Sequence, residues 1–249
     1  MDKLKKQRIE FIFDEVAKKL SLKRKDIGLF KHIIDQFDLR EKSILEVGCG
    51  IGDNLIYCSQ QGAIYAEGFD ISRESIKLAQ EKTENRENIF FHKSSIEEYS
   101  TERIFDYILV WGVSEYVENP FESLQKLINY LSDQGTIILF ISKPIFIKKL
   151  SFIFRIFLSK IPLTSLVNVA KTLSNILSIF TAIYKRILFT GASKTYTVEQ
   201  TILEGLMVPR YNLINPRKFI EYLQEQGFLI DFKDDIAHSM TCIIASKLS

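Results

Sequence analysis

The sequence predicts an α/β fold built on a doubly wound, mostly parallel sheet. Short apolar runs bounded by turn residues alternate with segments of helical periodicity, as in consecutive strand–helix units. Several runs are apolar on consecutive residues, which is typical of strands buried on both faces. The 249 residues, 46% of them hydrophobic, allow one such domain with an insertion and argue against general disorder.

Residues 1–40 are predicted to form a helical cap outside the sheet. Apolar residues near helical spacing predict one helix within residues 2–21, and Asp26 is placed to cap a second one. The cap can contribute packing alone or contact a ligand, and the sequence does not separate these two roles.

The stretch from Glu46 to Asn54 is the centre of a core predicted at residues 41–143. An apolar strand at 43–47 leads into a turn with glycine at alternate positions, and then into a helix of about residues 52–61. Such a turn lets bare backbone approach a ligand. A dinucleotide fingerprint would need glycine where this chain has Asp53, an acid that would repel a pyrophosphate. The pattern therefore predicts a nucleoside-like ligand and argues against the alternative of a nicotinamide-dependent enzyme.

The same stretch resembles the first motif of class I S-adenosylmethionine (SAM)-dependent methyltransferases. The motif reads E-V-G-C-G-x-G-D here, and the resemblance implies cofactor contacts by Glu46, Gly48, Cys49, Gly50, Gly52 and Asp53. It also implies SAM as methyl donor, S-adenosylhomocysteine (SAH) as product, and a Rossmann-like sheet of seven strands. A non-catalytic protein of this fold, serving as a membrane- or partner-binding module, is the second alternative.

An acid follows the second predicted strand, Ala63–Phe69. Asp70 lies 18 residues after Gly52, near the interval at which a carboxylate meets ribose hydroxyls in such folds. Ile71 is then expected to lie against the adenine, and Ser72 to cap the helix over residues 73–84.

The ends of the third and fourth predicted strands supply further candidate contacts. After Ile89–His92, Ser95 stands where the family commonly has Asp, so the contact to the adenine amino group is expected to be weaker or moved; Ile96 is the neighbouring candidate. The run from Phe105 to Val117 resembles the family's fourth motif, and its candidate cofactor contacts are Val110 and Trp111.

Methyl transfer from a sulfonium mainly needs alignment, exclusion of water and sometimes removal of a proton. Glu115 and Tyr116 are the candidate catalytic residues; His32, His92 and His238 are weaker ones.

Neither an N/D-P-P-Y/F motif nor a Pro-Cys pair is present, which disfavours nucleobase methylation. The layout resembles a quinone-pathway-like branch, which implies a small or lipid-like acceptor methylated at oxygen or carbon.

Helix and strand signals complete the core beyond this run. Asn119-Pro120 is predicted to cap a helix that reaches about Leu131, and Gly135–Ser142 is the fifth strand. In residues 213–249, Asn215-Pro216 opens a helix that Gly227 ends. Closing strands are predicted at Phe228–Phe232 and Thr241–Ala245, and the resemblance implies that they pair antiparallel.

Residues 144–212 form an insertion predicted to be a basic, apolar helical lid. The net charge of the chain is only +2, yet the stretch between Asp133 and Glu199 contains nine basic residues and no acid. The rest of the chain therefore carries a net charge of about −7. The basic residues of this stretch are Lys143, Lys148, Lys149, Arg155, Lys160, Lys171, Lys185, Arg186 and Lys194. Helices are predicted from Ile145 to Leu158 and from Leu173 to Tyr184.

Three interpretations of this lid remain open. Its apolar side can pack on the core, residues 145–190 can contact an anionic membrane surface, or the lid can form a homodimer or partner interface. A nucleic-acid partner is disfavoured because the tyrosines do not form a stacking platform.

The three cysteines lack metal-ligand spacing, so no metal is expected. With no signal peptide and no 18-residue apolar run, a cytoplasmic, optionally membrane-peripheral, location is expected.

Overall fold

The computed structural model describes residues 3–20, 27–143, 155, 158, 160–177, 198–209, 212, 214–237 and 240–247. The strands are β1 Ser43–Val47, β2 Tyr65–Asp70, β3 Ile89–Lys93, β4 Phe105–Trp111, β5 Leu131–Ser142, β6 Phe228–Ala237 and β7 Met240–Lys247. The helices are α1 Lys3–Lys18, α2 Gly28–Ile34, α3 Asp53–Gln60, α4 Arg73–Lys82, α5 Pro120–Ile128, α6 Leu163–Leu177, α7 Val198–Ile202 and α8 Pro216–Glu225. A π-helical turn, Leu203–Met207, continues α7.

The seven strands form one sheet in the order β3-β2-β1-β4-β5-β7-β6. The first five strands are parallel, and β7 pairs antiparallel with both β5 and β6. This confirms the predicted Rossmann-like, mostly parallel sheet. The strand order reverses between β1 and β4, and ligands of open α/β sheets bind at the carboxyl ends of the strands at such a point.

Three apolar clusters hold the elements together. One lies between the sheet and α2, α3 and α4, and a second lies between the opposite face and α5 and α8. The third joins Ile9, Ile12 and Val16 of α1 to Leu166 and Ala170 of α6 and to the turn after α7. The amino-terminal helix and the inserted segment therefore share a core of their own, beside the sheet.

The cap predicted at Ser72 and the helix start predicted at Asn215-Pro216 are confirmed, whereas Asn119 begins α5 without a side-chain cap. The Ser72 hydroxyl accepts the Ser75 N–H at 3.0 Å, and the Asn215 side chain accepts the Arg217 N–H at 3.1 Å. The cap predicted for the second helix is not seen: Asp26 lies outside the described residues, and α2 begins at Gly28 without a side-chain cap.

Several predicted boundaries were wrong. β5 begins at Leu131 rather than Gly135. β6 and β7 extend beyond the predicted Phe228–Phe232 and Thr241–Ala245, to 10 and 8 residues, because they pair along nearly their whole length.

In the lid, the helix predicted from Leu173 instead begins at Leu163, directly after Pro162, and residues 178–197 lie outside the described part. The helix predicted over 145–158 also lies outside it, apart from residues 155 and 158. No helix within the described ranges is long and apolar enough to span a bilayer.

Candidate functional site

The loop after β1 is held against the end of β2. The N–H groups of Gly48 and Cys49 both donate to the Phe69 carbonyl, at 2.8 and 3.1 Å. At Gly50 the backbone has φ +53°, and a Cβ there would meet no heavy atom within 4 Å. At Gly52 a Cβ would instead lie 2.5 Å from Cζ of Phe91. Gly50 therefore borders open space, whereas Gly52 permits close packing inside the protein.

Asp70 links this loop to the segment after β2. One carboxylate oxygen accepts the Gly50 N–H at 2.9 Å, and the other accepts the Ser72 N–H at 2.8 Å. Burial raises the pKa of Asp70, while the Ser72 and Gly50 N–H groups oppose the rise. A carboxylate offers about four acceptor positions, so Asp70 can also accept hydrogen bonds from ribose hydroxyls.

The two acids of the first motif are both buried. Glu46 is buried and accepts a hydrogen bond from the Asn54 amide at 2.6 Å, which fastens the first turn of α3 to β1. Asp53 is also buried and pairs with Lys82 of α4 at 2.9 Å. Cys49 is buried as well, and burial raises the pKa of its thiol well above the usual value. All three side chains are therefore buried in this structure, and their contact with the cofactor stays a prediction.

The candidate adenine contacts lie on two neighbouring loops. Ile71 is partly buried and packs against the cluster of α1, α6 and α7. Ser95 is buried, and its hydroxyl donates to Glu98 at 3.3 Å. Ile96 is buried in the α5 side of the core, and its carbonyl accepts from Lys126 at 3.0 Å.

Val110 and Trp111 point to opposite faces of β4. Val110 is buried in the α5 cluster, whereas Trp111 stacks on Phe140 at 4.1 Å and meets Phe30 of α2 edge-on at 5.3 Å. Next to them, Gly112 has φ +71° and open space around its Cβ position. Open space therefore lies at the ends of β1 and β4, which are neighbouring strands.

The candidate catalytic residues stand on the loop between β4 and α5. Glu115 is buried, and its backbone carbonyl accepts from the Asn212 N–H at 3.4 Å. Tyr116 is partly buried and meets Phe13 of α1 edge-on, with ring centroids 5.3 Å apart. Of the weaker candidates, His92 lies 3.3 Å from Glu67, and His238 lies outside the described residues.

Sequence reasoning missed two residues of α1. Asp14 accepts hydrogen bonds from the Ser72 hydroxyl at 2.7 Å and from the Glu74 N–H at 3.1 Å. Arg8 donates to backbone carbonyls of the inserted segment. Their helical positions were predictable, but their partners lie 58 or more residues away, and nothing local identifies them.

The residues at the opening fit SAM. Gly50 and Gly112 leave space at adjacent strand ends, Asp70 has acceptor capacity for a ribose, and Ile71 offers an apolar surface beside it. Within the described part of the chain, no group of three His, Cys, Asp or Glu side chains is arranged to hold a metal ion.

A family model described as a methyltransferase domain matches residues 5–144, more than half of the chain. Among curated proteins, the chain is 33% identical to a putative protein N5-glutamine methyltransferase, MJ0928, of Methanocaldococcus jannaschii over 110 residues, covering 44% of this chain and 53% of that protein. It is 30% identical to the ubiquinone biosynthesis O-methyltransferase of Rickettsia bellii over 103 residues, covering 41% and 42%. The chain thus spans about half the length of these curated relatives.

Solved structures agree in fold. Magnesium protoporphyrin IX methyltransferase (ChlM) from Synechocystis PCC 6803 with bound SAH aligns at a TM-score of 0.54 and 14% identity, covering 95% of this chain and 86% of that chain. Because the family model covers the glycine loop, Asp70 and β4 together, the chain belongs to the SAM-dependent methyltransferase family, whose cofactor is S-adenosylmethionine.

Proposed function

We propose that this protein transfers a methyl group from SAM to a small or lipid-like acceptor, at an oxygen or a carbon atom. One observation carries the proposal: the Gly50 N–H and the Asp70 carboxylate meet at 2.9 Å beside open space at the carboxyl edge of the sheet. The Asp70 carboxylate at this edge suits a nucleoside, because it can accept hydrogen bonds from ribose hydroxyls.

On the donor side, Asp70 accepts the ribose hydroxyls, and Ile71 lies against the adenine. Gly50 brings bare backbone to the ligand, because any side chain there would project into the open space. SAM supplies a methyl group already activated by its sulfonium. The protein's contribution is therefore alignment of the two reactants and exclusion of water.

On the acceptor side, Gly112 leaves room beside the transferred methyl group, and Glu115 and Tyr116 orient the acceptor or remove its proton. Tyr116 lies where β4 meets the shared cluster of α1 and α6, so an acceptor reaching it would contact the lid. The ubiquinone-pathway relative and these apolar surroundings support a small aromatic or lipid-like acceptor. The N5-glutamine relative makes a protein amide the competing acceptor class.

Calorimetry with SAH tests the donor side. We expect saturable SAH binding by the wild-type protein, greatly weakened in Asp70→Ala. The matched control is Asp133→Ala, an exposed aspartate at the start of β5, which should bind SAH as the wild type does. Binding of NADH in place of SAH would contradict the proposal. Labelled SAM offered with quinones and phenols, lipids, sugars and glutamine-containing peptides would then identify the acceptor class.

A second proposal concerns the lid surface, which we infer contacts anionic lipid headgroups electrostatically. The support is that α6 and its approach expose Lys160 and Lys171, in a stretch of sequence without acids. Leu166 and Ala170 of α6 are buried against α1, which favours contact by charge rather than insertion of this helix.

Sedimentation with phosphatidylserine-containing vesicles tests the lid proposal. We expect binding at low salt that decreases at high salt, and a further decrease in the double variant Lys160→Gln/Lys171→Gln. Vesicles of phosphatidylcholine alone are the control. Sedimentation that is equal for both vesicle types, or unaffected by the double variant, would rule the proposal out.

A further inference from the structure

Helix α1 carries a row of charged residues that faces the loops after β2 and β3. Lys6, Glu10 and Asp14 are spaced four residues apart, so they lie on one face of the helix. Lys6 pairs with Glu98, and Glu10 pairs with Lys93 at 2.7 Å. The Glu98 contact reaches the loop after β3, which carries Ser95 and Ile96, and the Lys93 contact reaches the last residue of β3.

The Asp14 contact is the most specific of the three. Its carboxylate accepts both the Ser72 hydroxyl, at 2.7 Å, and the Glu74 N–H, at 3.1 Å. The same hydroxyl accepts the Ser75 N–H at 3.0 Å, so its orientation is set from both sides. A carboxylate at the start of α4 is also favoured by the helix dipole.

Ser72 connects Asp14 to the candidate ribose-binding residue. The Ser72 N–H donates to the Asp70 carboxylate at 2.8 Å, while its hydroxyl is held by Asp14. A chain of hydrogen bonds therefore runs from α1 through Ser72 to Asp70, and on to the Gly50 N–H. In this series of hydrogen bonds Asp14 contacts Ser72, and Ser72 contacts Asp70.

Helix α1 is itself anchored on its other side. Arg8 donates to the carbonyls of Ile161 and Leu158, each at 2.7 Å, and the apolar face of the helix packs on α6. Contacts on both sides therefore hold α1 in place, those with the lid and those with the segment after β2.

We propose that Asp14 is a positioning residue for SAM, holding Ser72 and through it Asp70 in the orientation that receives the ribose. The inference rests on the proposed function. Orienting the carboxylate before the ligand arrives removes an ordering cost from binding. Asp14→Ala should therefore raise the Kd for SAH about tenfold, the size expected for one hydrogen bond to a charged group.

Three variants separate positioning from general stability. Asp14→Asn keeps an oxygen that can accept from Ser72, and should bind SAH within about threefold of the wild type. Ser72→Ala removes the link while Asp14 stays, and should match Asp14→Ala. Glu15→Ala is the control on the same helix, because its carboxylate pairs with Lys18 rather than with the loop, and its Kd should be unchanged.

The deciding measurement is a double-mutant cycle by calorimetry with SAH. If Asp14 acts through Asp70, the double variant Asp14→Ala/Asp70→Ala should bind SAH no more weakly than Asp70→Ala alone. Additive losses, or wild-type affinity in both Asp14→Ala and Ser72→Ala, would overturn the inference. A wild-type protein that does not bind SAH would instead refute the proposed function, so the two failures are distinguishable.

Discussion

The carboxylate of Asp70 accepts the backbone N–H of Gly50 at 2.9 Å, across 20 residues of sequence. This contact ties the loop after β1 to the end of β2, at neighbouring strands of the sheet. It also positions one acid and one bare stretch of backbone on the same side of the opening. The backbone at position 50 and the carboxylate at position 70 therefore hold each other in place, and Asp70→Ala should alter both the loop and the ligand affinity.

The raised pKa of Asp70 predicts how stability depends on pH. Burial raises its pKa, so the folded protein keeps this proton at pH values where the unfolded chain, near the usual value of about 3.9, has released it. Above that value the folded state binds more protons than the unfolded state, and this contribution to the free energy of unfolding falls as pH rises through the folded-state pKa.

Asp70→Asn cannot titrate and should lack this decline. The free energy of unfolding of the wild type should therefore decrease relative to that of the variant as the pH rises from about 4 to about 7. Urea denaturation without ligand at several pH values measures it. A difference that does not change with pH would contradict the prediction.

The glycines of the loop should respond differently to alanine. Gly52→Ala places a methyl group 2.5 Å from Phe91 and should lower the free energy of unfolding by about 2–3 kcal/mol. Gly50→Ala meets no atom, so it should lower that free energy by only about 1 kcal/mol through its positive φ, yet reduce SAH affinity strongly.

Gly227→Ala is the matched control for Gly50→Ala. It has φ +82° and open space, but it lies between α8 and β6, away from the loop. It should show a similar loss of stability with unchanged SAH affinity. Equal SAH affinity in Gly50→Ala and Gly227→Ala would mean that the ligand does not approach Gly50.

The Asp53–Lys82 pair should act on stability rather than on SAH binding. Both side chains are nearly buried, so Lys82→Met should lower the free energy of unfolding by about 3 kcal/mol by leaving a buried acid without its cation. The double variant Asp53→Asn/Lys82→Met should recover part of this loss and keep SAH affinity within about threefold. Thermal denaturation and calorimetry test both; a large loss of SAH affinity in the double variant would instead assign Asp53 to the cofactor, as its motif implied.

Arg8 should hold the lid to α1. Arg8→Met leaves the carbonyls of Ile161 and Leu158 without this donor, which should destabilise the contact by about 3 kcal/mol and speed hydrogen exchange in α6. Lys3→Met, an exposed change on the same helix, is the control. Exchange in α6 that is equal in both variants would show that the apolar packing alone holds the lid.

Local sequence was sufficient for much of the sheet and for the centre of the site. The apolar runs, the glycine turn and the caps at Ser72 and Asn215 each depend on a few neighbouring residues, because backbone conformation is set by short-range sterics and hydrogen bonds. The spacing of Asp70 from the glycines likewise needed only the regular length of a strand–helix–strand unit. The helix boundaries of the lid could not be predicted in the same way, because the composition of this segment indicates helices but contains few residues that mark where they begin and end.

Tertiary packing alone decided which side chains meet. Asp53 was assigned to the cofactor by its motif, but the fold brings Lys82 to it, 29 residues later. Trp111 stacks on Phe140 because β4 and β5 are neighbours in register, and Asp14 reaches Ser72 because α1 lies beside α4. Such partners depend on how whole elements pack, and the burial of each charge, with its pKa, follows from that packing rather than from nearby residues.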